Sequence, residues 1–241
     1  MKKLKIPKYT KVLLSLTIAN LAILFIRNII VGDKFFNFLL SNLLSGIIPF
    51  IIAIAIHYFN KRLSTFLFIV ASVLWLLFYP NSPYMISDLI HPYQEAKDVT
   101  DKSLIIYDTM IVFSIAMLSV FYGFVSLKIM FNLFRKRFGN KFAHTAVFLS
   151  LCLSCLGFYI GRELISEIKM GNGYLYSWEI FLEPVYIIKT VWHALVPIKE
   201  HLPAYYMMAL FGFIQYQLLI MMKDVSDFEE AEIVTKKNPV L

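Results

Sequence analysis

Leu104-Ile105-Ile106-Tyr107-Asp108-Thr109-Met110-Ile111-Val112-Phe113-Ser114-Ile115-Ala116-Met117-Leu118-Ser119-Val120-Phe121-Tyr122-Gly123-Phe124-Val125-Ser126-Leu127 is a run of 24 residues with one charge, followed closely by Lys128, Arg135, Lys136 and Arg137. About 20 apolar residues suffice for a helix to cross the bilayer core. The run therefore reads as a membrane span with a carboxylate near one interface and a cationic collar beyond the other. Five more runs of this kind lie outward from it, at residues 12–31, 36–59, 63–79, 143–160 and 203–222. The first follows a basic head (Lys2, Lys3, Lys5, Lys8, Lys11) but is too long for a signal-peptide core and has no small-x-small cleavage pattern, so it reads as a retained helix.

The bulk composition agrees. The 241 residues are 59% hydrophobic and 16% charged, with a mean hydropathy of +0.68. A soluble domain is about 45–50% apolar and about 25% charged. These values exclude a soluble globule, a disordered chain, collagen and a disulfide scaffold. The two cysteines, Cys152 and Cys155, lie three apart in one helical run, where disulfide geometry is hard to reach. They read as small buried fillers.

Sidedness follows from the charges. With the N-terminus inside, the inner segments carry fifteen Lys and Arg against five acids, and the outer ones eight against eleven. The net is +10 inside and −3 outside, together the chain's +7. The inner loops are short and basic (Lys61-Arg62; Lys128 to Lys141), as the positive-inside rule requires. The expectation is an all-α, polytopic bundle of six transmembrane helices in the cell membrane, with both termini cytoplasmic. It comprises a basic N-terminus (1–11), one membrane domain (12–222) and a cytoplasmic tail (223–241), and its partner is the lipid bilayer. The absence of a clustered basic face with base-stacking aromatics speaks against nucleic-acid binding.

The outer segments 80–103 and 161–202 are expected to lie against the membrane. Most of the tyrosines and all three tryptophans (Trp75, Trp178, Trp192) fall at or near that interface, the level such rings favour. A seventh run, 185–196, is short. At 100° per residue it places Tyr186, Lys189, Thr190 and His193 opposite Ile187, Ile188, Val191 and Leu195, which is the pattern of an interfacial helix.

The unusual residues gather on this outer side. In Pro80-Asn81-Ser82-Pro83-Tyr84-Met85-Ile86-Ser87-Asp88-Leu89-Ile90-His91-Pro92, Pro80 is expected to end the third span, Ser82 to cap a new helix and Pro83 to take its first position. A short re-entrant or interfacial helix would then carry Tyr84, Ser87, Asp88 and His91 on one face and Met85, Ile86, Leu89 and Ile90 on the other. Asp88 and His91, three apart, suit a base and its orienter or a site for a cationic group; two ligands are too few for a metal site. Asp108 lies one turn inside the fourth span. A carboxylate there needs a partner or a cavity, which makes it a candidate functional residue. Its cationic partner is expected to be Arg162 or Arg27. Gly157 and Gly161 form a small-xxx-small face suited to a membrane-protein partner. Ser177-Trp178-Glu179 reads as a capped turn with a bilayer anchor. Asn20, Asn42, Gln215 and Gln217 are expected to bond between helices.

These blocks resemble a known family. Pro80-Asn81-Ser82-Pro83-Tyr84 with Asp88, Leu89 and His91, then Tyr107-Asp108, Gly161-Arg162 and Ser177-Trp178-Glu179, are similar to the bacterial integral-membrane family called domain of unknown function 1361. The resemblance spans roughly residues 40–222. In the family's pattern Arg and Ser-Trp-Asp lie closer together; here about 14 residues separate Arg162 from Ser177, and Glu179 stands for Asp. The resemblance implies a membrane location and a helical fold, and it brings no activity and no cofactor.

Three function classes remain. The first is an accessory, partner-binding membrane protein whose outward pocket is formed by Asn81, Tyr84, Asp88, His91, Asp108, Arg162 and Glu179. The second is a transporter or channel for a small polar solute. The third is an outer-surface enzyme acting on a lipid-linked or small anionic substrate. The chain has no Gly-x-Ser-x-Gly, His-Glu-x-x-His or P-loop signature, and no transporter-like internal repeat.

Overall fold

The computed structural model describes residues 8–32, 37–92, 102–159, 192, 202, 205, 206, 209, 210 and 212–221. Among these the chain is helical throughout, with short turns and no strand. The elements are α1 (Lys8–Val31), α2 (Phe38–Phe59), α3 (Thr65–Phe78), the short α4 (Asn81–Tyr84), a 3-10 helix (Met85–Ile90), α5 (Lys102–Phe138), α6 (Asn140–Tyr159) and α7 (Gly212–Met221). Four helical stretches are long and apolar enough to cross a membrane: Tyr9–Val31, Phe38–Phe59, Thr65–Leu89 and Leu104–Phe138. The chain is a membrane protein by this measure. The interfacial run 185–196 (Trp192 apart), the N-terminal residues 1–7 and the tail from 222 lie outside the described residues.

Lateral surfaces agree with a lipid environment. Phe25, Ile29, Phe66, Ile106 and Met110 are each more than three-fifths exposed on their helices. Water would penalise such a surface, whereas acyl chains solvate it. The inner faces form two clusters. One joins Ala53, Ile56, Phe68, Trp75, Leu127, Phe131, Phe134, Val147 and Leu219. The other joins Leu24, Leu39, Leu43, Phe50, Met85, Ile111, Val112, Ile115 and Tyr122.

Helix α5 is the spine. It packs most extensively on α2, and also on α6, on the 3-10 helix and on α1. The 24-residue run expected from hydropathy is only part of it: at 37 residues the helix is about 55 Å long and carries Arg135, Lys136 and Arg137 in its last turn. Gly139 then takes φ +90°, and its N–H donates to the Arg135 carbonyl at 3.1 Å, closing the helix with a left-handed residue.

Arg137 ties this end together. Its Nε donates to Asn60 Oδ1 at 2.9 Å, and its Nη2 donates to the carbonyls of Asn60 and Leu63. Its guanidinium also lies 4.3 Å from the Phe68 ring centroid. One planar fork thereby satisfies carbonyls left over where α2 ends.

α3 stops at Phe78, two residues before Pro80, as the sequence leads one to expect. Pro80 itself nevertheless has helical angles (φ −56°, ψ −26°), and the chain continues through α4 into the 3-10 helix. Pro80 also takes the capping position expected of Ser82, but makes no side-chain cap bond, while the Ser82 hydroxyl is used elsewhere. Trp75 turns into the bundle rather than toward lipid. It is 1% exposed, packed against the rings of Tyr79 and Phe134, and its Nε1 donates to Ser126 Oγ at 3.3 Å.

Candidate functional site

The end of the bundle opposite Arg137 holds most of the described candidate residues. α1 ends there at Gly32 (φ +77°), whose N–H donates to the Asn28 carbonyl. Asn28 Nδ2 donates to Asn37 Oδ1 at 2.8 Å and ties the end of α1 to the start of α2. Arg27, in the last turns of α1, faces Asp108, in the second turn of α5. Its Nε donates to Oδ1 at 2.9 Å and its Nη2 to Oδ2 at 3.0 Å. Both residues are buried, at 3% and 7% exposure. This is a bidentate, charge-assisted pair, the strongest geometry open to these two side chains. Of the two partners the sequence allows for Asp108, Arg27 is the one seen to bond it; Arg162, like Glu179, lies outside the described residues.

Asp88 sits on the 3-10 helix at 1% exposure. Asn42 of α2 donates to its Oδ2 at 2.8 Å, and His91 Nε2 lies 3.6 Å from its Oδ1. The His91 side chain is 24% exposed, and the Phe38 ring meets it edge-on at 4.8 Å. A fixed, buried carboxylate therefore lies behind a partly open imidazole. The expected division of faces is altered by the helix type. With three residues per turn, Met85, Asp88 and His91 line up, so Asp88 shares its face with the buried Met85 rather than opposing it.

The segment is held in place by small residues. Ser82 Oγ donates to the Gly46 carbonyl at 2.7 Å, and Ser119 Oγ donates to the Ser82 carbonyl at 3.0 Å. A Cβ on Gly46 would collide with Ser119 Oγ, and one on Gly123 would meet Ser82 Cβ at 2.7 Å. Gly46 thus lets α5 come close to α2, and Gly123 lets the Ser82 turn come close to α5. Asn81 and Tyr84, on the flanking turn, are half-buried.

Ser82, Gly46, Ser119 and Gly123 are absent from the sequence reading as contact residues of this kind. Ser119 and Gly123 carry the same small-xxx-small spacing as Gly157 and Gly161, so the signal was present. Gly157 lies in the last turn of α6, and Gly161 lies outside the described residues. The mid-membrane amides divide. Asn42 bonds between elements, but Asn20 Nδ2 turns back to the Leu16 carbonyl of its own helix. Gln217 is exposed, and the buried Gln215 Nε2 finds no partner among the described residues. Among those residues no three His, Cys, Asp or Glu side chains gather as a metal site.

The match to a protein family, described as "Protein of unknown function (DUF1361)", covers residues 41–218. The chain belongs to the DUF1361 family. The DUF1361 match takes in Asn42, Asp88, His91 and Asp108 but leaves out α1. Arg27, which neutralises Asp108, is thus supplied from outside the matched stretch. No curated protein and no solved structure matches the chain.

Proposed function

We propose that this DUF1361 protein is a six-span bacterial cell-membrane protein with both termini cytoplasmic, and that its extracytoplasmic end is a receptor-like pocket binding a polar group of a membrane partner. The pocket comprises Asn81, Tyr84, Asp88 and His91, with Arg162 and Glu179 from the later outer segment. The order of the helices supports the sidedness: the cationic segments at Lys61-Arg62 and Arg135 to Lys141 share one end, and the candidate carboxylates share the other. Asp108 serves this site by fixing α1 to α5 through Arg27.

The observation that carries the binding reading is the floor beneath Asp88. Ser82, Met85 and Ser119 are each at most 1% exposed, and Ser82 and Ser119 interlock with Gly46 and Gly123. Close packing of this kind behind the partly exposed His91 suits a binding site better than a conduit, and a carboxylate neutralised by a bidentate arginine is poorly suited to carry an ion. The test places a photoreactive residue at Tyr84 and, separately, at lipid-facing Phe66. A defined adduct from position 84 that Asp88→Asn abolishes supports the pocket. The same adducts from both positions refute it.

A second reading is an enzyme acting at this surface. It is favoured by one feature: a carboxylate oriented by Asn42 beside a partly exposed imidazole is an arrangement that a general base adopts. In that case His91→Gln abolishes conversion of a membrane-lipid extract by the purified protein while its melting temperature holds. Identical product profiles for both proteins exclude it.

A further inference from the structure

At the Arg137 end, the last turn of α2 and the last turns of α5 run side by side and leave an open groove of about 610 Å³. That is within the range of about 300–1,000 Å³ usual for small-molecule sites. Buried Leu133 lies beneath it, and His57, Lys61, Asn132, Arg135 and Lys136 line it with exposed side chains. Arg137 is committed to Asn60 and Leu63, so the groove's charge comes from Lys61, Arg135 and Lys136. The described residues contain two carboxylates, Asp88 and Asp108, both at the other end. Asp108 and Arg135 are 27 residues apart on one helix, roughly 40 Å. Three cations thus face the groove and no described carboxylate answers them.

The groove also continues a lipid-facing surface. Ile51, Ala55 and Tyr58 recur at i, i+4 and i+7 as an exposed stripe along α2, and Tyr58 forms part of the groove wall. Ile51, about 10 Å along the helix from Tyr58, brings the stripe close to the bilayer centre. Phe59, beside Tyr58, is 46% exposed. An apolar stripe running into a cationic recess at the end of a span has the shape and sign of one lipid molecule: acyl chain on the stripe, phosphate in the recess. Free phosphate would use only the recess, and an acidic peptide would have no use for the stripe.

We propose that this groove binds the head group of an anionic phospholipid, with its phosphate oxygens held by Lys61, Arg135 and Lys136 and an acyl chain lying along Tyr58 and Ile51, where Ala55 leaves room for it to pass. Basic recesses between membrane helices suit such head groups, and each cation near an anionic surface strengthens the attraction several-fold.

The experiment measures lipid retention by native mass spectrometry and affinity in detergent for the purified full-length protein. The probes are phosphatidylglycerol, phosphatidylcholine with the same acyl chains, and inorganic phosphate. One phosphatidylglycerol is expected per chain, bound roughly tenfold or more tighter than phosphatidylcholine. Lys61→Gln/Arg135→Gln/Lys136→Gln should lose roughly tenfold or more, while Lys11→Gln/Arg62→Gln/Lys141→Gln, which removes equal charge outside the groove, stays near the unmutated value. Lys61→Arg/Lys136→Arg should retain binding, and single Lys136→Gln should weaken it, so the conclusion survives if the triple variant does not fold. Equal losses in the two triple variants would overturn the site. So would phosphate binding as tight as the lipid's, or lipid binding that appears only after Asp224, Asp227, Glu229, Glu230 and Glu232 are neutralised.

Discussion

Arg27 and Asp108 hold each other through two parallel hydrogen bonds across 81 residues of chain, joining the end of α1 to the start of α5. Removing one partner leaves the other charge buried, at a cost of about 3–5 kcal/mol. Arg27→Ala should therefore lower the melting temperature in detergent more than Arg27→Met/Asp108→Leu, in which neither charge remains. A double variant no more stable than the single one would show that the pair contributes something besides mutual neutralisation.

The glycine contacts give a graded expectation. Gly46→Ala and Gly123→Ala force a Cβ into Ser119 and Ser82, and overpacking of this kind costs about 1–3 kcal/mol. Gly212→Ala meets neighbours only at 3.9 Å or more and should be tolerated. Thermal melts of the three variants check the order, and equal melting points would mean that Ser119 and the Asn81–Tyr84 turn both yield easily.

Arg137 should resist conservative exchange. Lysine presents a single ammonium where the guanidinium reaches Asn60 and Leu63 and covers Phe68. Arg137→Lys should cost about 1.5–3 kcal/mol, the range for a hydrogen bond to a charged group. Limited proteolysis at Lys61 and Arg62 should quicken in step with it. Unchanged cleavage would show that the connection between α2 and α3 holds without this clasp.

At the other end, stability and binding should separate. Asn42→Leu removes a donor from the buried Asp88 carboxylate and should cost about 1.5–3 kcal/mol. His91 is partly exposed and 3.6 Å from that carboxylate, so His91→Ala should leave the melting point nearly unchanged yet remove the position-84 adduct. A large loss of stability in His91→Ala would mark the imidazole as a structural prop.

Much of the fold was legible because hydropathy reports depth along the membrane normal. The apolar runs 12–31 and 36–59 became α1 and α2 with ends shifted by a few residues, and the cationic segments meet at one end of α5. Asp108 stood out because an unpaired charge in an apolar run is expensive, and the same cost demanded a cation such as Arg27. The candidate site was legible in part: Asp88 and His91 proved neighbours, but Asp88 faces inward.

Rotation about each helix axis was not legible. In a soluble helix, water outside and core inside leave opposite signatures on the two faces. In a lipid-solvated helix both faces are apolar, so nothing in the hydropathy of Trp75 says that it turns inward while Phe66 turns out. The same ambiguity hid the 3-10 winding that puts Asp88 beneath Asn42 and the close approach that needs Gly46 and Gly123. The amino-acid sequence by itself determined that this chain is a helical membrane protein with a basic and an acidic end. Only tertiary packing decided which faces meet, because contacts between residues tens of positions apart choose among rotations that the bilayer leaves nearly equal.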